Sequence, residues 1–247
     1  MNSPADPLYY QTIELPDGLH EGQWDCRKVV DQYLGHCSFA GKTVLEVGPA
    51  NGFLTFAMEA RGAHVTCIEL GEKGGWDFVP GPLIDHVTVE CEARSILQRI
   101  EAAFWHAHAL TNSRAEMRYG TIYEARDLVA PHQIGMVGNV LQHLRDPFGG
   151  LMAIADRVTE TLIITESLWV ETDRFFSESF MQLIPRAELP RIFRSWWQVS
   201  VPLLGEILKM LGFPHLRAEF HHPTLRQATG DRLVKHVTYV GSRQAAP

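Results

Sequence analysis

The sequence predicts an α/β fold on a mostly parallel sheet closed by an antiparallel hairpin, and three observations carry the prediction. Residues 44–70, VLEVGPANGFLTFAMEARGAHVTCIEL, pass from an apolar strand through a glycine-bounded turn into a helix, then into a second strand that ends on Glu69. Residues 117–122, 134–140 and 161–166 are short and apolar, with a helical stretch at 147–158 before the last, as expected of parallel strands joined by crossovers. Residues 216–220 and 233–240 are strand-like and flank a turn at Gly230-Asp231, which suits an antiparallel pair.

Residues 1–25 are polar and turn-rich, with Pro4, Pro7, Pro16, Gly18 and Gly22, yet they carry Tyr9, Tyr10 and Trp24. Such a segment drapes over the body like a lid. Residues 26–38 place Val29, Val30, Tyr33 and Leu34 at helical spacing, and Gly41-Lys42 turns the chain into the first strand. The helix from Phe53 buries Phe53, Phe56, Ala57 and Ala60 and meets Gly62 where a left-handed cap is wanted. Residues 71–116 exceed what a βαβ connection needs and read as a helical insertion between the second and third strands of the sheet. Within them Ala93, Ile96, Leu97, Ile100, Phe104 and Ala107 share an apolar face. Glu101, Trp105, His108 and Asn112 share another stripe, which faces either a substrate or solvent. Residues 201–211 are helical, with Pro202 in the first turn and Gly212 and Pro214 as stops. The length suits one domain or a domain with a cap, and residues 1–247 read as a single domain with insertions, without repeats or low-complexity tracts.

At 247 residues and 45% hydrophobic content the chain buries one substantial core. A net charge of −7 argues against a nucleic-acid partner, which needs clustered positive charge to displace counterions from phosphate. Cys26, Cys37, Cys67 and Cys91 lack C-x-x-C spacing, so buried, reduced thiols in a cytoplasmic protein are expected. His221-His222 reads as surface without further ligands, and no metal is expected. MNSPADPLYY lacks a cationic start followed by an apolar run, and no segment approaches the ~20 apolar residues of a membrane span. No membrane partner is expected, and the sequence specifies no oligomeric state.

The turn after the first strand bears on the ligand. Backbone N–H groups at a strand–turn–helix junction point at a bound group, and a carboxylate one strand over holds a ribose diol. A dinucleotide fingerprint requires Gly-x-Gly-x-x-Gly, the second glycine admitting a pyrophosphate and the third letting the helix lie close. Counted from Gly48, those positions hold Ala50 and Phe53. The run Glu46-x-Gly48-x-Ala50-x-Gly52 instead resembles motif I of the class I S-adenosylmethionine (SAM) dependent methyltransferases, with alanine at the middle position. SAM has no pyrophosphate to admit there. The alternative is a helix-packing turn of another α/β protein.

YYQTIELPDG, GNVLQHLRDP and the later SWW…GF stretch extend the resemblance over most of the chain. They point to a group similar to the tRNA wobble-uridine methyltransferases, which has RNA-modifying and small-molecule members. The resemblance implies a doubly wound, mostly parallel seven-stranded sheet with a terminal antiparallel hairpin, and SAM as cofactor. It implies that the backbone of Gly48 and Asn51 meets the methionine part within the turn that Gly52 completes, and that Glu46 reaches the ammonium through water. Glu69 then takes both ribose hydroxyls, Leu70 flanks the adenine, Thr121 and Ile122 line its other side, and Asn139 meets the methionine moiety. A carboxylate accepting from both hydroxyls of a diol agrees with elementary geometry. Leu70 and Ile122 are equally ordinary core residues.

Methyl transfer from a sulfonium needs alignment and, for a hydroxyl or ammonium acceptor, removal of a proton. His143, just beyond the fourth strand, is the candidate base, with an ordinary pKa of ~6.5; alternatively it packs the following helix. Glu166, ending the fifth strand, is the second catalytic candidate, steering an amine or holding a hydroxyl, or else a helix-start carboxylate. Tyr10, Trp196 and Trp197, with Phe193 and the helix residues Trp105 and His108, are candidates for an acceptor wall, or else core. The expected function is SAM-dependent methyl transfer to an oxygen or nitrogen of a small-molecule acceptor. tRNA modification, or SAM binding without transfer, is the alternative.

Overall fold

The computed structural model describes residues 6–71, 74–80, 85–169, 172–185 and 194–244. The N-terminal segment forms a hairpin of β1 (Ile13–Leu15) and β2 (Gly18–His20), then β3 (Trp24–Asp25), a 3-10 turn (Arg27–Val29) and the short α1 (Val30–Tyr33). The body follows as β4 (Thr43–Val47), α2 (Phe53–Glu59), β5 (His64–Glu69), the long α3 (His86–Leu110) and β6 (Glu116–Tyr119). A 3-10 turn (Ile122–Glu124) runs into α4 (Ala125–Leu128), and β7 (His132–Gly138), a 3-10 turn (Leu141–His143), α5 (Pro147–Ala155) and β8 (Val158–Ser167) succeed it. The chain closes through α6 (Asp173–Ser177), β9 (Met181–Leu183), β10 (Trp197–Val199), α7 (Val201–Met210) and β11 (His215–His221). Last come β12 (Thr224–Leu225), β13 (Arg232–Leu233) and β14 (His236–Ser242).

Seven strands form one sheet in the order β11-β14-β8-β7-β4-β5-β6. β4 to β8 run parallel, whereas β14 lies antiparallel to both β8 and β11. This is the expected doubly wound sheet with its terminal hairpin. The chain steps outward from β4 through β5 to β6, then returns to place β7 on the other side of β4. A crevice therefore opens beyond the carboxyl ends of β4 and β7, where open α/β sheets bind ligands.

Both faces of the sheet are covered, so its central strands are apolar almost throughout: four of the five residues of β4 are buried. One core packs Phe39, Phe56 and Phe104 against the sheet, the other Leu151, Ile154, Leu204 and Phe213. No helix among the described residues is long and apolar enough to cross a membrane.

Several boundaries differ from the sequence reading for local reasons. The third sheet strand stops at Tyr119 rather than at 122, because Thr121 and Glu124 form a capping box that starts a turn. α3 begins at His86, ahead of the periodic stretch at 92–110, with Asp85 accepting from the Thr88 N–H at 3.3 Å. The helix read at 26–38 ends by Tyr33, where Gly35 and His36 take left-handed conformations at φ 59° and 50°. Leu233, placed in the closing strand, instead pairs with Thr224 of β12. His221, expected at the surface, is buried beneath Tyr33 and bonds Thr238 Oγ1 at 2.9 Å. Cys26 and Cys67 are buried as expected, but Cys91 lies on the exposed side of α3.

Candidate active site

β4 ends in the turn Gly48-Pro49-Ala50-Asn51-Gly52, in which Gly48, Ala50 and Gly52 are left-handed at φ 68°, 51° and 84°. Ala50 holds a conformation that costs an L-residue about 1–2 kcal/mol. A Cβ at Gly52 would lie 2.3 Å from the Phe56 ring, so only glycine starts α2 here without displacing it. At the tip of β5 the Glu69 carboxylate accepts from the N–H of Leu70 at 2.8 Å and from that of Ala50. Burial pushes its carboxyl up to about 7, against the pull of those two donors.

Under the N-terminal segment lies a cavity of about 490 Å³, within the ~300–1,000 Å³ of small-ligand sites. Of the residues expected at the cofactor, Gly48, Glu69, Leu70, Thr121, Ile122 and Asn139 line it, and Tyr10 and His143 join them. The side chains of Glu46 and Asn51 turn elsewhere. The Glu46 carboxylate, 2% exposed, accepts from Thr55 Oγ1 at 2.6 Å, and burial pushes it up to about 7. Asn51 accepts from the N–H groups of Tyr10 and Gln11 at 3.1 and 2.6 Å and donates to the Gln11 carbonyl at 3.1 Å. The motif turn thus holds the segment that roofs the cavity. Asn51→Ala removes three hydrogen bonds from buried or half-buried groups and is expected to destabilise the protein by about 1–3 kcal/mol. Urea unfolding would measure that loss.

Asn139, left-handed at φ 55°, spends its amide on α1 and on the strands β8 and β14. It donates to Tyr33 Oη at 3.1 Å and His236 Nε2 at 3.0 Å, and accepts from the Ser167 N–H at 2.7 Å. His143 ends the 3-10 turn after β7. Its Nδ1 lies 2.5 Å from the Arg194 carbonyl, which can only accept, so Nδ1 carries the proton and Nε2 is left with its lone pair. Burial holds this imidazole below its usual 6.5.

His143 also lines a second cavity of about 610 Å³, which adjoins the first through Tyr10, Trp24 and Asn139. Gln23, Gln142, Gln182 and Gln227 supply amides to this second cavity, and Trp24 and Trp169 supply rings. No aspartate, glutamate, lysine or arginine lines it among the described residues.

Glu166 does not reach either cavity. Its buried carboxylate accepts from the N–H of Leu141 at 3.0 Å and from those of Val140 and Gln142, so it anchors the turn that carries His143. That is the helix-start alternative left open by its position in the sequence. Trp105 and His108 also lie away from both cavities. Trp105 donates to Glu101 at 3.3 Å, His108 Nε2 meets the Ala115 carbonyl at 3.1 Å, and Tyr119 of β6 bonds the same Glu101. The stripe therefore covers the edge of the sheet. Trp196 and Trp197 donate their indole N–H groups to the carbonyls of Asp77 at 2.5 Å and Arg145 at 3.0 Å, bracing loops beside the site without lining it. Phe193 lies outside the described residues.

Two lining residues were not singled out as site candidates in the sequence. Gln11 is buried in the cavity wall, and its Oε1 has no protein partner. Asp77 accepts from Tyr123 Oη at 2.6 Å and the Arg145 N–H at 2.8 Å, fixing the loop that follows β5.

Three buried carboxyls make stability depend on pH. Burial raises Glu46 and Glu69 from 4.5 to about 7 and Glu166 to about 8. The folded chain keeps protons that the unfolded chain has released, so this contribution is present at acid pH and lost as pH rises through 7–8. Buried His221 and His236, held at about 3 and about 4, oppose it only below their unfolded value near 6.5. The thermal midpoint of the ligand-free protein is therefore expected to fall between about pH 6.5 and 8.5. A flat or rising midpoint would show that these carboxyls ionise normally.

The strand order, the crevice beyond β4 and β7, and the left-handed turn facing an acid at the tip of β5 together make the class I SAM-dependent methyltransferase fold. Among solved structures, the N-terminal domain of EvdMO1 with S-adenosylhomocysteine (SAH) and D-fucose matches at a TM-score of 0.58 and 17% identity, over 94% of this chain and 90% of that one. Magnesium protoporphyrin IX methyltransferase (ChlM) from Synechocystis PCC 6803, with bound SAM, matches at a TM-score of 0.50 and 12% identity, over 87% and 77%. In sequence, the ubiquinone biosynthesis O-methyltransferase of Azoarcus sp. (strain BH72) is 54% identical over 84 residues, covering 30% of this chain. The chain thus spans about a third, 35%, of the length of that curated relative. No family model matches the chain.

Proposed function

We propose that the protein is a SAM-dependent methyltransferase acting on an oxygen or nitrogen of a small, uncharged acceptor. The observation that carries this reading is the pair of adjoining cavities with His143 in their shared wall. The first cavity has the residues that SAM needs. Glu69 suits the ribose diol, Leu70 and Ile122 the faces of the adenine, and the otherwise unpartnered Gln11 Oε1 the ammonium. Relatives of the same fold hold SAM or SAH.

Bound SAM supplies an activated methyl group, so the chain's own work is orientation and proton removal. The Arg194 carbonyl fixes the His143 tautomer, and Nε2 accepts the proton of an acceptor hydroxyl or neutral N–H group. Glu166 holds the turn that presents it. The N-terminal segment, pinned by Asn51, keeps water from the first cavity as a lid over a single domain of residues 1–247, with 71–116 as its helical insertion.

The acceptor's class follows from the second cavity. Amides and indole rings without a formal charge suit a neutral, ring-bearing molecule and offer no cationic partner for a phosphate among the described residues. With the net charge of −7, this favours a small molecule over RNA, including over the finer likeness to tRNA wobble-uridine methyltransferases. Free cysteines suit a reducing cytoplasm. Incubation with methyl-labelled SAM, metabolite fractions and bulk RNA tests the reading. Label in a neutral small molecule supports it; label confined to RNA, or SAM bound with no transfer to any fraction, overturns it.

A further inference from the structure

We propose that Asp17, His20 and His106 form a site for a divalent cation of the zinc type, joining the N-terminal segment to α3. His20 Nε2 lies 2.9 Å from Asp17 Oδ1, and His106 Nε2 lies 3.4 Å from Asp17 Oδ2. One ligand atom from each residue falls within 4.8 Å of the others. Zinc bonds of about 2.0–2.1 Å in tetrahedral array set ligand atoms roughly 3.3–3.4 Å apart. The three side chains need only small adjustments to enclose an ion.

The surroundings orient these ligands as metal-binding histidines are usually oriented. His106 Nδ1 lies 2.6 Å from Tyr9 Oη, which engages one ring nitrogen and leaves Nε2 directed at Asp17. The Tyr9 ring stacks on His20 at 4.4 Å, fixing its plane, and the two imidazoles stand nearly perpendicular at 83°. Asp17 and His20 are held by the β1–β2 hairpin, in which His20 pairs with Ile13. The side chains keep 24–38% of their surface exposed, so an ion and a water as fourth ligand can enter from solvent.

Two imidazoles and one carboxylate suit zinc and its first-row neighbours, whereas magnesium and calcium favour oxygen ligands. The site would clamp two walls of the first cavity: Tyr9, Tyr10 and Gln11 on one side, and Ile96, Leu97 and Ile100 of α3 on the other. It stands independently of the methyl-transfer reading.

The test is titration of untagged, chelator-stripped protein with Zn2+ by calorimetry and with Co2+ by visible absorption. The expected result is one saturable equivalent, with the intense bands of four-coordinate Co2+. His20→Ala, His106→Ala and the shape-preserving Asp17→Asn should each weaken binding at least tenfold, and Tyr9→Phe by about 10–100-fold through the outer hydrogen bond. His36→Ala, at a surface pair with Glu219, should leave it unchanged. Failure to bind one equivalent, or uptake that survives both His20→Ala and His106→Ala, overturns the proposal.

Discussion

Replacing His143 with alanine is expected to lower turnover about 10²–10⁴-fold, the usual worth of a positioned general base, with little change in SAM affinity. The Arg194 carbonyl accepts from Nδ1, so the basic lone pair is on Nε2. Burial holds the imidazole below 6.5 and keeps it neutral at pH 7. The wild-type rate should therefore rise with pH through a value below 6.5 and then stay level, and the alanine variant should lose that step. Steady-state rates across pH at saturating acceptor check both points. Unaltered turnover would return His143 to a packing role.

Replacing Glu69 with alanine is expected to weaken SAM binding by about 1.5–3 kcal/mol, a tenfold to hundredfold rise in Kd, as for hydrogen bonds to a charged group. The carboxylate is already oriented by the N–H groups of Leu70 and Ala50, so little ordering opposes its bond to a diol. Because its carboxyl sits at about 7, wild-type affinity should fall as pH drops below 7 and Glu69 takes up a proton. Glu69→Gln should remove that dependence. Calorimetry at several pH values measures both, and an affinity insensitive to Glu69 and to pH would take this residue out of the ribose site.

The sheet was legible because parallel strands buried on both faces read as continuous apolar runs; β5 ends on Glu69, as its sequence indicates. Helix ends were less so, since His36 adopts a left-handed turn that no periodicity announces. At the site, the spacing of Gly48, Ala50 and Gly52 and the position of Glu69 on β5 were readable from local chemistry. The side-chain directions of Glu166 and Asn51 were not. A carboxylate at a strand end serves a cavity or a neighbouring turn according to what packs above it, here the N–H groups of residues 140–142. The stripe of Trp105 and His108 had the right helical phase, but β6 decided what it covers. The neutral second cavity joins residues as distant as Gln23, Gln142 and Gln227, and the Asp17–His20–His106 cluster spans the same kind of distance. Only the tertiary fold brings such residues together.

The central claim is that the first cavity binds SAM through Glu69 and that the second holds the acceptor. A crystal structure of the complex with SAH tests it most directly. The account predicts both ribose hydroxyls on the Glu69 carboxylate and the adenine between Leu70 and Ile122, with the second cavity left free beside His143. SAH bound elsewhere, or filling the second cavity with its ribose away from Glu69, would contradict it.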